Sequence, residues 1–167
     1  MNPFEILAQE LEHESAATGR LLERVPAESL DWRPHARAMS LGQLAFHVAG
    51  IPTAIMGMLQ AGVVDLNEVD FTPHQPEGFD EITAAFESGV PQTLEGLRGM
   101  RAEDAAEAWR CCRGDDEVFS LPNAALVRSL MLNHLYHHRG QLATYLRILD
   151  VPVPATYGRS ADEDLLG

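Results

Sequence analysis

HLYHHRGQL, residues 134–142, packs three histidines, an arginine and a glutamine into nine residues of a segment with strong apolar periodicity. Set at about 100° per residue, Val127, Leu130, Met131, Leu135, Leu142, Tyr145, Leu146 and Leu149 fall on one side of a single helix. His138 lies near the centre of that side, His134 about 40° from it, and His137 roughly another 60° toward the edge. The inward pair is therefore His134 and His138. At i and i+4 their Cβ atoms stand roughly 6 Å apart, a spacing that lets two ring nitrogens converge on one ion. A buried imidazole nitrogen left without a partner costs on the order of 1–3 kcal/mol, so these rings need either hydrogen bonds or a metal.

The helix that carries them opens at Pro122 and Asn123 and reaches about Leu149. Three more helices precede it. Asn2 and Pro3 form a good start, a cap with proline at the first helical position, and Phe4, Leu7, Leu11, Thr18, Leu21, Leu22 and Val25 recur at helical spacing to about residue 25. Ser40 and Gln43, three apart, make a capping box ahead of Leu44, Val48, Ile51, Ile55, Met58 and Leu59, with Pro52 inside the pattern. A weaker period runs through Ile82, Phe86, Val90, Leu94 and Leu97, interrupted by Gly89 and Pro91. Between them, residues 26–39 form a connection anchored by Trp32, and residues 61–78 form a long acidic loop in which His74 is expected to face solvent. The stretch RAEDAAEAWRCCRGDDEVFS, residues 101–120, is undecided between helix and extended chain. The tail from Asp150 onward has too many prolines for a helix and is expected to pack as an extended arm or to stay loose. The pattern predicts an all-α fold, a four-helix bundle with long inter-helix loops, as one domain over residues 1–167.

Composition narrows the function. The chain of 167 residues carries a formal net charge of -13, a field that repels phosphate backbones and anionic lipid, and so speaks against nucleic acid and membrane surfaces as partners. All twelve basic residues are arginine, which removes lysine Schiff-base and P-loop chemistry. No unbroken apolar run approaches a membrane span, and the acidic N-terminal segment lacks the basic start of a secretory signal, so a cytoplasmic location is expected. Cys111 and Cys112 are adjacent with no further cysteine, which fits two reduced thiols better than a zinc cluster or a disulfide framework.

His47, in the second turn of the capped helix, sits at the edge of that helix's apolar face. A bundle can deliver it to the point where His134 and His138 converge, giving three nitrogen donors and a fourth position open to water, the pattern of a catalytic site. The plainer reading, histidines satisfied by ordinary hydrogen bonds, stands beside it. No glutamate follows His134, so this is not the HExxH protease signature. Gln141 falls within about 20° of His134 and either orients a ligand or packs as a polar neighbour. Arg139 points away from the inward face and is expected to pair with another helix or loop, while Tyr136 and His137 lie on the flank, where a second subunit could meet them. Trp32 and Trp109 read as apolar anchors, with Trp32 also able to line a pocket mouth; His13 and His35 have no geometric claim.

Taken together, DWRPHARAMSLGQLAFHVAG with Trp32, Pro34, Ser40 and His47, and the distant NHLYHHRGQLATYLRILDVPVPATYG, resemble the DinB-like superfamily of metal-binding four-helix bundles, which includes YfiT-like proteins. The resemblance implies His47, His134 and His138 as ligands of a divalent ion, zinc or nickel, and a homodimer. It also implies a metal-dependent hydrolase or a thiol-dependent S-transferase, in which the ion activates water or a low-molecular-weight thiol co-substrate toward a small-molecule substrate. The alternative is a non-catalytic bundle stabilised by the metal, with a stress-response or interaction role. Asp150 departs from the family pattern, where a glycine is expected to end the last helix.

Overall fold

The Asn2 side chain accepts a hydrogen bond from the Phe4 N–H at 3.1 Å, Pro3 follows it, and the first helix, α1, runs Pro3–Leu22. The same Asn2 amide donates to the Met100 carbonyl at 2.8 Å, so the first residue described also ties down the end of a later helix. In this computed structural model the structure describes residues 2–164. The capping box predicted at Ser40 is present in both directions, and α2 runs from it over Leu41–Ala61, through Pro52, to Gly62 at φ 70°. By length and composition alone α2 could cross a membrane; here Leu44, Val48, Ile51, Ile55 and Leu59 are buried in the bundle. Helix α3 spans Phe79–Gly99 and carries Gly89 and Pro91 inside it. Gly89 is where α2 approaches: a Cβ built there would lie 2.2 Å from the Thr53 hydroxyl. A residue that weakens the helical period in the sequence thus permits close helix packing.

The last long helix, α4, covers 123–148, with α-helical ends Asn123–Leu126 and His134–Ile148 and a π-helical stretch Val127–Asn133 between them. Wider turns of this kind recur beside functional residues, and this one ends immediately before His134. Helix α1 packs chiefly on α3 and α4, and α2 likewise packs on α3 and α4. The two helices that carry the three histidines are therefore direct neighbours.

The all-α expectation is corrected by a small three-stranded sheet: β1 Val63–Asp65 pairs in parallel with β2 Ala108–Arg113, which pairs antiparallel with β3 Asp116–Pro122. The undecided segment 101–120 opens with a short 3-10 turn, Ala102–Ala106, and then becomes a hairpin turning at Gly114, φ 60°. Trp109 is 2% exposed, and its indole N–H donates to the Met58 carbonyl at 2.8 Å, which fixes the sheet to α2. A register shift between Cys111 and Cys112 buries both consecutive thiols, and both are free. That bulge breaks the alternation by which a half-buried strand is recognised in sequence.

Asp150 takes φ 58°, the left-handed conformation that glycine usually supplies. The Val151 N–H reaches the Leu146 carbonyl at 2.9 Å and the Asp150 N–H the Arg147 carbonyl at 3.1 Å, the paired bonds of a Schellman cap. The cap forms despite the missing glycine. Beyond it the tail is an extended arm, held where Arg20 donates to the Ala155 carbonyl and where Arg147 pairs with Asp162.

Arg139 explains how this arm and α1 are joined to α4. Only 3% exposed, it forms an ion pair with Glu14 of α1 at 2.6 Å and donates to the Thr18 hydroxyl at 3.2 Å and to the Tyr157 hydroxyl of the arm. Tyr157 in turn donates to Glu14 at 2.8 Å. The expected helix-to-helix ion pair is present. Tyr136, expected on a flank open to a partner, donates within the chain to Glu10 at 2.7 Å. Arg139→Ala would strand the Glu14 carboxylate, and breaking one side of such a buried pair costs about 3–5 kcal/mol. Urea denaturation should show that loss; a change below about 1 kcal/mol would mean the network is not a structural tie.

Candidate metal centre

His47 is placed by the α2 capping box, two turns in, and is flanked by buried Leu44, Val48 and Ile51, whose phase turns its ring toward α4. His134 and His138 come from α4 one turn apart, after the π-helical stretch. The structure brings the three predicted residues together: one nitrogen from each lies within 4.8 Å of the others. His47 Nε2 stands 3.3 Å from His134 Nε2, and His138 Nε2 stands 2.8 Å from the same atom. All three rings are partly buried, and among the described residues no further histidine, cysteine or acid joins the group.

The outer nitrogens set the tautomers. His138 Nδ1 lies 2.8 Å from Gln141 Oε1, so it carries the proton and donates, while the Gln141 amide reaches His137 Nε2 at 3.1 Å. The Nε2 lone pair of His138 then faces the His134 ring, an arrangement that a cation between them stabilises. Tetrahedral zinc with Zn–N of about 2.0–2.1 Å places its nitrogens roughly 3.3 Å apart. The His47–His134 spacing matches and the shorter His134–His138 contact needs only a small opening, so the donor set fits a divalent ion.

The rings are held neutral, as ligands must be. Burial, with His138 and His134 as like neighbours, pushes His47 down to about 4. Burial likewise lowers His138 and His134, against which the hydrogen bonds of Gln141 and of the Leu130 backbone act.

These histidines line a cleft of about 480 Å³ whose far side is the loop 66–78. The loop is clipped to the start of α2: the Ser40 hydroxyl donates to Gln75 at 2.6 Å and the Gln43 amide to the Pro73 carbonyl at 3.1 Å. His74 is exposed, as expected, yet it belongs to the cleft. Its ring lies 4.5 Å from that of Phe46, and its Nε2 is 2.5 Å from the Glu81 carboxylate, which also accepts the Glu77 N–H. The Glu77 N–H and then His74 hold Glu81 below the usual carboxylate range. Periodicity could not find His74 in an aperiodic loop; the one signal was a histidine seven residues ahead of a glutamate, across a helix start. Gln141, left open between two roles, orients His138. Trp32 is an anchor, edge-on to Tyr145 at 5.6 Å, and does not line the cleft; His13 and His35 stay exposed and apart from the cluster.

A pH dependence follows for the metal-free protein. An unfolded histidine titrates near 6.5 and folded His47 near 4. Above 6.5 both are neutral and stability is unaffected; between 6.5 and 4 only the unfolded chain takes the proton, so stability falls as pH falls. Because the ring is partly solvated, the loss should be on the order of 1–2 kcal/mol. Chemical denaturation in chelator at pH 7 and pH 4.5 should show it, and His47→Gln should reduce it, leaving the part that His134 and His138 contribute; an equal loss in the variant would assign it elsewhere.

The DinB family model matches residues 1–164. No curated protein matches the sequence. Among solved structures, a DinB-like protein from Bacillus cereus ATCC 10987 aligns with TM-score 0.70 at 22% identity, covering 90% of this chain and 95% of its own. A DinB-like protein from Bacillus subtilis aligns with TM-score 0.68 at 16% identity, covering 92% and 99%. At such identities the likeness is one of fold, and it extends over nearly the full length of both neighbours. With the family match spanning almost all of the sequence, the chain belongs to the DinB family.

Proposed function

We propose that the protein is a metal-dependent enzyme in which His47, His134 and His138 hold one divalent ion, zinc or nickel, beside a small-molecule cleft. The observation that carries this is the convergence of three neutral imidazoles, within 4.8 Å of one another, on the wall of a cleft of about 480 Å³. Three protein donors leave a further position for water or substrate, and imidazole suits both metals. When bound, the ion supplies Lewis acidity that lowers the pKa of water or of a thiol, which supports hydrolysis or thiol-dependent S-transfer.

The chain supplies the rest. Gln141 fixes the tautomer and rotation of His138. Phe46 and His74, their rings 4.5 Å apart, join α2 to the facing loop across the cleft, with His74 held through Nε2 by Glu81. A second reading is a metal that only staples the bundle, favoured by the fact that the ligands bridge neighbouring helices α2 and α4.

Elemental analysis after zinc or nickel supplementation tests both. One ion per chain is expected in the wild type and none in His47→Ala, His134→Ala or His138→Ala, with helical circular dichroism retained. Variants that lose the metal and also unfold, with no turnover by the loaded wild type on hydrolysis and thiol-conjugation panels, would favour the staple. A wild type that takes up no ion would overturn both.

A further inference from the structure

The chemistry of the cleft restricts its occupant. Its walls are apolar, built from Phe46, Ile51, Ile55 and Met58 of α2 and from Phe71 of the facing loop. Phe71 is 68% exposed, a large aromatic ring held in water at the cleft mouth, where an apolar ligand would cover it. Among the described residues no arginine lines the cleft, and the chain has no lysine. Among the described residues the one carboxylate in the lining is Asp70, which accepts the Thr72 N–H at 2.8 Å and is held below the usual carboxylate range by Thr72, so it is ionised at neutral pH. At the mouth His74 is shared with a second depression lined by Glu77, Asp80 and Glu81, and the whole chain carries -13.

We infer that the substrate of this site is an uncharged apolar molecule, alkyl or aryl, that presents a single metal-seeking donor atom, and that anionic substrates and anionic thiols are rejected. This rests on the metal reading proposed above and names the class of molecule that the site takes. The three neutral imidazoles and the ion attract a donor atom at the inner end of the cleft. The remainder of the ligand meets hydrocarbon and a negative rim, with no guanidinium to pair a carboxylate or a phosphate. Burying a carboxylate against those walls carries an uncompensated desolvation cost that an aryl or alkyl group does not.

Two thiols that differ only at the far end test this: phenylmethanethiol and 4-(mercaptomethyl)benzoate, titrated into the cobalt-loaded protein and followed by the sulfur-to-cobalt charge-transfer band. Phenylmethanethiol should bind at least tenfold more tightly. Asp70→Asn, which keeps an acceptor for the Thr72 N–H, should narrow that ratio. Phe71→Ala, at an exposed position, should weaken phenylmethanethiol severalfold and leave 2-mercaptoethanol unchanged. Equal or tighter binding of the benzoate to cobalt-loaded protein overturns the inference and leaves the metal reading intact, as does binding of 2-mercaptoethanol without phenylmethanethiol. Failure to take up cobalt overturns the metal reading itself.

Discussion

Two neighbouring helices must bury their leucines against the bundle and, with the same rotation, aim imidazoles at one point. That constraint governs the molecule. On α2 the rotation follows from where the helix starts, and the Ser40–Gln43 capping box fixes the start. On α4 it follows from the run of Met131, Leu135, Leu142 and Leu146 into the core, each essentially fully buried. Each such side chain contributes about 1.5–3 kcal/mol on burial, several times the orienting energy of any one imidazole contact, so the core sets the site and not the reverse.

The remaining interactions keep those rotations from drifting. Arg139 lies one residue beyond His138, about 100° around the helix, and is locked by Glu14, Thr18 and Tyr157, which pins the face of α4 turned to α1 and the arm. The C-terminal arm thus reaches the site indirectly, through Tyr157 and Arg139 on the helix that bears two of the histidines. Ser40 and Gln43 also serve the cleft: having set the start of α2, they bond Gln75 and Pro73 and hold the facing wall in place. One capping box therefore positions both His47 of the cluster and the loop across from it.

The parts of this that were legible in sequence were those with a strong local signal. Asn2–Pro3, the Ser40–Gln43 box and the apolar stripe from Val127 to Leu149 each carry a rule of short range, and they located α1, α2, α4 and all three histidines of the cluster. The turn of Arg139 away from the histidines, toward an ion pair with another element, was readable for the same reason. The strands were hidden because β2 has six residues and a bulge at Cys111 and Cys112 that spoils its alternation. The π-helical stretch before His134 leaves no mark on a wheel drawn at a constant angle. Gly89 looked like a helix weakness because its partner, Thr53, lies on another helix, and His74 was passed over because only the folded loop brings it beside Phe46. Long-range neighbours decide these features, and no window of sequence contains both members of the pair.

The proposed centre has three imidazoles on one divalent ion and a position open to the cleft. X-ray absorption spectroscopy of the zinc-loaded protein addresses it directly. About three imidazole nitrogens are expected at roughly 2.0–2.1 Å, with an exchangeable light atom that sulfur at roughly 2.3 Å replaces when phenylmethanethiol is added. A shell without imidazole scattering, or one that is closed and unchanged by the thiol, would contradict it.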